Sequence, residues 1–191
     1  MNKDDTKVLI LGGLGMLGHT LYKTLKTSYP VNVSIRGSFD SISHYGIFEK
    51  PDVIEGVDAF DFGTIIRAYA AARPTIVINA IGLIKQLPSS HDSINAITIN
   101  SLFPHQLASL CAATGSRLVH ISTDCVFSGE KGNYSEDDPS DAKDLYGRSK
   151  YLGEVDSGNC ITLRTSIIGR ELKTKVGLLE WFLSTREAIQ G

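Results

Sequence analysis

A short apolar run that leads straight into a cluster of glycines stands near the start of the chain, in KVLILGGLGMLGHTL. Val8–Leu11 has the composition of a buried parallel strand. Gly12, Gly15 and Gly18 follow with the spacing G-x-x-G-x-x-G, and Gly13 is an additional glycine. A strand, a glycine-rich turn and a helix in this order predict the first unit of an α/β fold that binds a dinucleotide.

Each of the three spaced glycines has an expected role in such a turn. Gly12 allows the tight turn, Gly15 lets the backbone approach a pyrophosphate, and Gly18 lets the helix pack against the strand. The pyrophosphate would lie at the amino end of that helix, at Met16 and Leu17, where free N–H groups and the helix dipole favour anions. A flexible glycine turn is the alternative interpretation.

The segment that begins STDCVFSG and ends YLGE contains the second informative pattern. It places Tyr146 and Lys150 four residues apart in YGRSK, downstream of the hydroxyl of Thr123. Four residues is just over one helical turn, so the phenol and the ammonium share one face of a helix. At about 4 Å their interaction is worth about 4 kcal/mol. This energy corresponds to about three pK units, so we predict that the pKa of Tyr146 falls toward neutrality. Such a phenol can exchange a proton with a sugar-like oxygen, although Y-x-x-x-K alone also fits an exposed helix pair.

Strands and helices are predicted to alternate along the chain. The predicted strands span residues 8–11, 31–36, 57–60, 75–80, 117–122 and 160–164, and residues 38–55 are predicted to form a loop. The predicted helices span residues 16–29, 63–73, 93–113, 144–155 and 178–189. The third helix is expected to bend at Pro104, and the last to present Leu179, Phe182 and Leu183 on one side. The alternation predicts an α/β fold with a Rossmann-type doubly wound parallel sheet, in the strand order 3-2-1-4-5-6.

The residue that follows the second predicted strand favours one nicotinamide cofactor. An NAD-binding site usually places a carboxylate there to hold the ribose diol. This chain has Arg36 at that point, followed by Gly37 and Ser38, and its first carboxylate is Asp40. A guanidinium and a hydroxyl suit a 2′-phosphate, so NADP(H) is favoured over NAD(H). An exposed arginine at a strand end is the alternative.

The composition argues against several classes of function. The 191 residues carry a formal net charge of −2, so no basic surface for nucleic acid is expected. The three cysteines, Cys111, Cys125 and Cys160, lack metal-binding spacing, and we expect no metal site. Because no signal peptide or membrane span is found, we expect a cytoplasmic protein that does not contact a membrane.

The ordered motifs resemble those of the extended short-chain dehydrogenase/reductases, and within them the dTDP-4-dehydrorhamnose reductases. The resemblance runs through GGLGMLG, the Asp61-Phe62 pair, NAIG at residues 79–82, Asn100, STDCVFSG, YGRSK and LRTSIIG. It implies reduction of a 4-keto-6-deoxy sugar carried on a nucleoside diphosphate. A homodimer is a possible assembly.

The resemblance also implies how the cofactor would be held. Asp61 would accept a hydrogen bond from the adenine amino group, with Phe62 beside it. Asp61 is equally placed to cap the helix that follows. The backbone of Ala80, Ile81 and Gly82 would line the nicotinamide side.

The implied catalytic residues are Thr123, Tyr146 and Lys150. Tyr146 would protonate the carbonyl oxygen of the substrate, and Lys150 would bind the nicotinamide ribose and lower the pKa of Tyr146. Thr123 would hydrogen-bond the keto oxygen, with Asp124 near the sugar. Asn100 would either organise a link to Lys150 or serve as a core amide.

Departures from the family pattern concern the substrate. Cys125 stands where the family has an aromatic residue after Ser-Thr-Asp, and Ile167 stands where it often has tryptophan. IGLIKQ replaces the usual sequence after Asn-Ala and brings Lys85 to the mouth of the expected pocket, where it could meet a diphosphate. A solvated loop lysine is the alternative. These changes suggest a different hexose or nucleotide.

Two expectations concern the extent and the class of the protein. Residues 1–170 would form the NADP(H)-binding domain and residues 171–191 the start of a substrate-binding lobe, most of which would be missing because relatives continue further. One alternative function is that of a nucleotide-sugar epimerase or dehydratase, although a dehydratase would need a second carboxylate beside Asp124. The other is a noncatalytic NADP-binding regulatory subunit, since the regulatory subunit of methionine adenosyltransferase resembles the same reductases.

Overall fold

The chain folds around a six-stranded parallel sheet, seen in a computed structural model that describes residues 5–85, 92–173 and 177–186. The strands are β1 (Val8–Leu11), β2 (Val31–Ser34), β3 (Val53–Ile54), β4 (Ile76–Asn79), β5 (Arg117–Thr123) and β6 (Cys160–Thr165). Their order is β3-β2-β1-β4-β5-β6, with parallel pairing between all neighbours. The predicted α/β Rossmann-type sheet and its strand order are therefore confirmed.

Helices cover both faces of the sheet, which explains why β1 is buried along its whole length. The helices are α1 (Met16–Leu25), α2 (Phe62–Ala72), α3 (Ser93–Ala96), α4 (Phe103–Thr114), α5 (Leu145–Leu152) and α6 (Leu178–Ser184). Ile65 of α2 and Phe103 of α4 belong to the core on one face, and Tyr22 of α1 belongs to the core on the other. No helix within the described ranges combines the length and the apolar character needed to cross a bilayer.

The third strand lies earlier in the chain than predicted. The expectation of a strand at residues 57–60 is wrong, because Val53 and Ile54 pair with the end of β2 instead. Gly56, with a φ of 66°, then turns the chain out of the ladder. Val57 and Ala59 supply buried side chains without forming a strand, which is why their apolar character was misleading. The predicted loop over residues 38–55 contains short 3₁₀ helices as well as β3.

The long helix predicted over residues 93–113 is divided by a π-helical turn. Ile97–Leu102 forms this turn between α3 and α4, so the irregularity precedes Pro104, which lies in the first turn of α4. A π-helical turn is uncommon and often occurs at functional sites. It contains Asn100, whose side chain is buried against the carboxyl side of the sheet.

The last described helix is shorter than predicted. α6 ends at Ser184, and residues 187–189 of the predicted helix lie outside the described part of the chain. Its buried side chain is that of Glu180, while Phe182 and Leu183 are exposed. The apolar side expected from the sequence is therefore open to solvent among the described residues.

The sheet register brings together the carboxyl ends of four strands, β1, β4, β5 and β6. Leu11 at the end of β1 pairs with Asn79 at the end of β4, and Thr123 of β5 pairs with Thr165 of β6. Because α/β sheets of this kind bind ligands at the carboxyl ends of their strands, the candidate site lies at this edge.

Candidate active site

The glycine-rich loop after β1 forms an open cradle. Gly12 has a φ of 90°, a conformation that side chains rarely allow. A Cβ on Gly18 would overlap the carbonyl oxygen of Gly12, so the start of α1 packs directly on the loop. In contrast, a Cβ on Gly15 would have only the Gly12 oxygen nearby, at 3.4 Å. The exposed face of Gly15 can therefore accept a ligand without displacing protein atoms.

Ser34 shapes this loop, a role that the sequence pattern did not reveal. The Gly12 N–H donates to the Ser34 hydroxyl at 3.2 Å, and the Gly13 N–H donates to the Ser34 carbonyl at 2.9 Å. Gly13 also lacks room for a Cβ, which would overlap the side chain of Val33. The additional glycine is thus required by packing against β2, and the end of β2 holds the turn in place.

The first turn of α1 completes the cradle. Met16 and Leu17 open this helix, and the N–H groups of a first helical turn have no acceptor within the helix. The ring Nδ1 of buried His19 lies 2.8 Å from the Gly15 carbonyl and ties the turn to the helix. Free N–H groups beside an open glycine turn fit a pyrophosphate, so the residues present suit a dinucleotide.

The residues expected around the adenosine lie beyond β2 and before α2. Arg36 is exposed and stands two residues after the end of β2. Asp61 caps α2, since its Oδ1 accepts the Gly63 N–H at 3.0 Å, and it remains exposed. The ring of Phe62 packs edge-on against Phe103, with centroids 6.2 Å apart, so this side chain belongs to the core. Asp61 thus serves as a cap and still has a carboxylate oxygen that faces away from the helix bond.

The loop Ala80–Gly82 joins the glycine cradle to the Tyr-Lys helix. A Cβ on Gly12 would lie 3.0 Å from Ile81 Cγ1 and 3.1 Å from the Ala80 carbonyl oxygen. On its other side, a Cβ on Gly82 would lie 3.7 Å from the ammonium nitrogen of Lys150. The structure thus brings together the residues expected beside a nicotinamide and the predicted lysine.

Thr123 and Tyr146 meet at the end of β5. The Thr123 hydroxyl accepts the Cys125 N–H at 3.1 Å and lies 3.2 Å from Asp124 Oδ1. Burial raises the pKa of Tyr146, a hydrogen bond from Thr123 opposes this shift, and the charges of Cys125 and Asp124 reinforce it. The predicted fall of the Tyr146 pKa is therefore wrong for this structure. The phenol is protonated at neutral pH.

The reason for this correction lies in the position of Lys150. Its Nζ donates to the Ile121 carbonyl at 2.7 Å, and the residue is only 4% exposed. Burial lowers the pKa of Lys150 to about 8, and the charge of Glu154 works against that shift. The Lys150 ammonium is thus held by the backbone of β5. For this reason it does not pair with the Tyr146 phenol, although both residues share one face of the helix.

Asn100 connects three elements around the lysine. Its Oδ1 accepts the Leu83 N–H at 2.9 Å, and its Nδ2 donates to the Leu83 carbonyl and to the Ser149 hydroxyl at 3.2 Å each. A Cβ on Gly82 would lie 3.6 Å from this Oδ1. Asn100 is therefore a buried amide that fixes the loop of Gly82 and Leu83 next to Lys150, and its predicted link to Lys150 stays a prediction.

Lys85 and Ile167 are two of the residues that were predicted to face the substrate. Lys85 pairs with Asp144 at 3.0 Å, and Asp144 caps the helix that carries Tyr146 by accepting the Gly147 N–H. Lys85 therefore lies at the amino end of α5, the helix that carries Tyr146. Ile167 is exposed two residues beyond β6. Asp144 had not been singled out, although an aspartate before an apolar helix start is a recognisable cap signal.

The chain is similar to known proteins over most of its length. The family described as the RmlD substrate binding domain matches residues 6–177. The spore coat polysaccharide biosynthesis protein SpsK of Bacillus subtilis is 31% identical over 151 residues, which cover 78% of this chain and 47% of that protein. Methionine adenosyltransferase 2 subunit beta of Rattus norvegicus is 28% identical over 156 residues, which cover 81% of this chain and 43% of that protein.

Solved structures extend the comparison to the fold. A hypothetical dTDP-4-dehydrorhamnose reductase from Sulfolobus tokodaii superposes with a TM-score of 0.69 at 29% identity, over 83% of this chain and 55% of that one. The dTDP-4-dehydrorhamnose reductase of Bacillus anthracis in complex with NADP gives a TM-score of 0.61 at 26% identity, over 78% of this chain and 48% of that one. The chain spans about half of the length of these proteins.

Proposed function

Because the chain belongs to the RmlD substrate binding domain family, we propose that it binds NADP(H) and serves in the reduction of a keto group on a nucleotide sugar. One observation carries the proposal. Thr123, Tyr146 and Lys150 converge at the end of β5, beside the Ala80–Gly82 loop that adjoins the glycine cradle. The proposed dinucleotide site and the proposed proton donor would thus share one edge of the sheet.

Three parts of the chain would hold the pyrophosphate and the adenosine of the cofactor. The cradle around Gly15, with the N–H groups of Met16 and Leu17, would bind the pyrophosphate. The exposed Arg36 would meet a 2′-phosphate, and the free oxygen of Asp61 would accept from the adenine amino group. The NADP complex of the Bacillus anthracis reductase supports a nicotinamide dinucleotide as the ligand.

Proton transfer would fall to Tyr146. A bound reduced nicotinamide would supply the hydride for the carbonyl carbon of the substrate. The Tyr146 phenol donates its proton to the carbonyl oxygen, which yields an alcohol, and the Thr123 hydroxyl orients that oxygen. The raised pKa of Tyr146 suits this direction, since the phenol holds its proton until negative charge develops on the substrate. Lys150, positively charged at neutral pH, would bind the ribose hydroxyls and favour the phenolate that remains.

The substrate class follows from the residues at the mouth of the site. We propose a 4-keto-6-deoxy sugar on a nucleoside diphosphate, in keeping with the dTDP-4-dehydrorhamnose reductases among the relatives. Asp124 would hydrogen-bond the sugar, Lys85 would exchange its pairing with Asp144 for the diphosphate, and Ile167 would contact the hexose.

Calorimetric titration with NADPH and NADH tests the cofactor assignment. Wild type should bind NADPH more tightly, and Arg36→Ala should weaken NADPH binding by about 10-fold while leaving NADH binding unchanged. Arg117→Ala is the matched control, because Arg117 is exposed at the opposite, amino end of β5. Equal weakening by both substitutions, or tighter binding of NADH, would contradict the NADP(H) assignment.

Turnover of a 4-keto-6-deoxy sugar nucleotide with NADPH tests the reaction. Tyr146→Phe should retain NADPH binding and lose about 10²- to 10⁴-fold in kcat, the usual contribution of a general acid. If Tyr146→Phe turns over substrate like wild type, Tyr146 is not the proton donor.

A noncatalytic regulatory subunit is the second candidate, favoured by the match to methionine adenosyltransferase 2 subunit beta. This function predicts tight NADPH binding, no oxidation of NADPH with any sugar nucleotide, and a stable complex with a methionine adenosyltransferase catalytic subunit. Size-exclusion chromatography of the mixed proteins, run beside the turnover assay, distinguishes the two functions.

A further inference from the structure

A charged pair lies behind the Tyr-Lys helix, outside the residues assigned so far. Glu154 stands just after α5, and Arg164 lies on β6. Arg164 Nε donates to Glu154 Oε1 at 2.9 Å and Nη2 donates to Oε2 at 2.8 Å, a two-pronged pairing. The two side chains are 13% and 23% exposed, so this is a largely buried ion pair rather than a surface contact.

The pair is joined directly to the end of β5. The Ser122 hydroxyl donates to Glu154 Oε1 at 2.7 Å. Ser122 pairs with Arg164 in the sheet register, which puts both on the side where Glu154 reaches them. Ser122 is flanked in the chain by Ile121, whose carbonyl binds Lys150, and by Thr123. Glu154 is therefore bonded to the residue of β5 that lies between Ile121, which binds the lysine, and Thr123, which contacts the phenol.

Arg164 also reaches the segment that leads into the amino end of α5. Its Nη1 donates to the Glu136 carbonyl at 3.1 Å, and its guanidinium lies 5.0 Å from the centre of the Phe127 ring. That ring stacks on Tyr134 with centroids 4.4 Å apart. The pair thus links the residue after α5 with the loop that precedes the helix.

The charge of Glu154 acts on the lysine. Lys150 is buried, and burial disfavours its ammonium form. Within the described residues, the titratable groups that interact with it are Glu154, beyond the end of its own helix, and His120 on β5, and the amide of Asn100 lies nearby across Gly82. His120 is neutral at pH 7 because burial lowers its pKa to about 3. Glu154 is the carboxylate that favours the charged lysine.

We propose that Glu154 and Arg164 form a positioning pair for the reaction proposed above, in which Arg164 anchors Glu154 and Glu154, bonded to the Ser122 hydroxyl, brings its negative charge to the segment of β5 that holds Lys150. Neither residue touches substrate or cofactor. The catalytic role of the pair rests on the proposed function. Its electrostatic effect on Lys150 can be measured without turnover.

The test is the titration of Lys150, followed by NMR of protein labelled with ¹³Cε-lysine and assigned by the signal missing from Lys150→Gln. Glu154→Gln should move the titration midpoint down by about one pH unit, because the carboxylate is lost and Arg164 is left uncompensated. Arg164→Met should move it up by about half a unit, because Glu154 is then unpaired. A purely structural role would not move the midpoint in opposite directions.

Controls keep the outcomes separate. Glu130→Gln removes the same kind of group from an exposed pair with Lys143 and should leave the Lys150 midpoint unchanged. If Glu154→Gln does not fold, the double variant Glu154→Gln/Arg164→Met removes both charges, and its midpoint should still lie below that of wild type. An unchanged midpoint in a folded Glu154→Gln or double variant overturns the proposal.

A functional readout follows from the same variants. NADPH affinity should fall as pH rises through the Lys150 midpoint, and in Glu154→Gln this fall should occur about one pH unit lower. If no variant or wild type binds NADPH, the proposed function fails while the NMR titration still decides the role of the pair. If NADPH binds but its pH profile is the same in wild type and Glu154→Gln, the positioning role is wrong.

Discussion

Replacing Gly18 with alanine should separate the packing of the glycine loop from its binding function. A Cβ at this position would overlap the Gly12 carbonyl oxygen and lie 2.9 Å from the Gly12 carbonyl carbon and 3.0 Å from Gly13 Cα. All of these are backbone atoms, so no side chain can rotate away and α1 must move outward from the loop. Overpacking of this kind typically costs about 1–3 kcal/mol.

The size of the net effect follows from two opposing terms. Because the obstacle is rigid backbone, we place the overpacking cost near its upper value of about 3 kcal/mol. Alanine is a better helix former than glycine by about 1 kcal/mol, which offsets part of that loss. The expected net destabilisation is therefore about 2 kcal/mol. For a domain of this size, such a loss lowers Tm by about 4–8 °C.

Gly15→Ala is the matched substitution, three residues earlier in the same loop. Gly15 has a φ of −70°, which alanine adopts readily, and its Cβ would have only the Gly12 oxygen nearby at 3.4 Å. Its unfolding free energy should stay within about 1 kcal/mol of wild type. Because the new methyl group occupies the open face of the cradle, NADPH affinity should fall by about 10-fold or more.

Urea unfolding followed by circular dichroism measures the stabilities, and calorimetry measures NADPH binding. The expected pattern is a loss of stability for Gly18→Ala and a loss of binding without a matching loss of stability for Gly15→Ala. If Gly18→Ala is as stable as wild type, the close approach of α1 to the loop is absent. If Gly15→Ala binds NADPH normally, the open face of the loop is not the pyrophosphate site.

Three further tests concern the core, a helix cap and a buried histidine. Phe103→Ala removes a fully buried ring and should lower the unfolding free energy in urea by about 3–5 kcal/mol, so a loss below 1 kcal/mol would contradict the described packing. Asp144→Ala should cost about 1 kcal/mol in thermal unfolding, whereas Asp144→Asn should keep most of that stability because an amide oxygen can still accept the Gly147 N–H. Burial lowers the pKa of His120 from 6.5 to about 3, so the unfolded chain binds more protons between these values and stability falls as pH drops through that window. Urea unfolding at pH 7 and pH 5 should therefore show a larger loss for wild type than for His120→Gln, and equal losses would refute the burial of His120.

Local patterns in the sequence were sufficient for the architecture, and they named residues that the structure brings to the carboxyl edge of the sheet. The run Val8–Leu11 with its glycines could form little other than a strand, a tight turn and a helix, because side chains at Gly12 or Gly18 would not fit. Alternation of strands and helices then restricted the sheet to a parallel, right-handed arrangement. The third strand was misplaced because Val57 and Ala59 are apolar and buried for reasons of core packing, which a short window cannot distinguish from pairing.

Tertiary structure decided the electrostatics of the site. Spacing alone placed Tyr146 and Lys150 on one helix face, but burial and the Ile121 carbonyl determine where the ammonium lies and in which direction each pKa moves. The partners of Lys150 come from β5 and from beyond the end of α5, and no periodicity in the sequence relates Glu154 to Ser122 or Arg164. Helix and strand periods describe neighbours along one element, whereas dielectric environment and ion pairing depend on which elements the sheet register brings together.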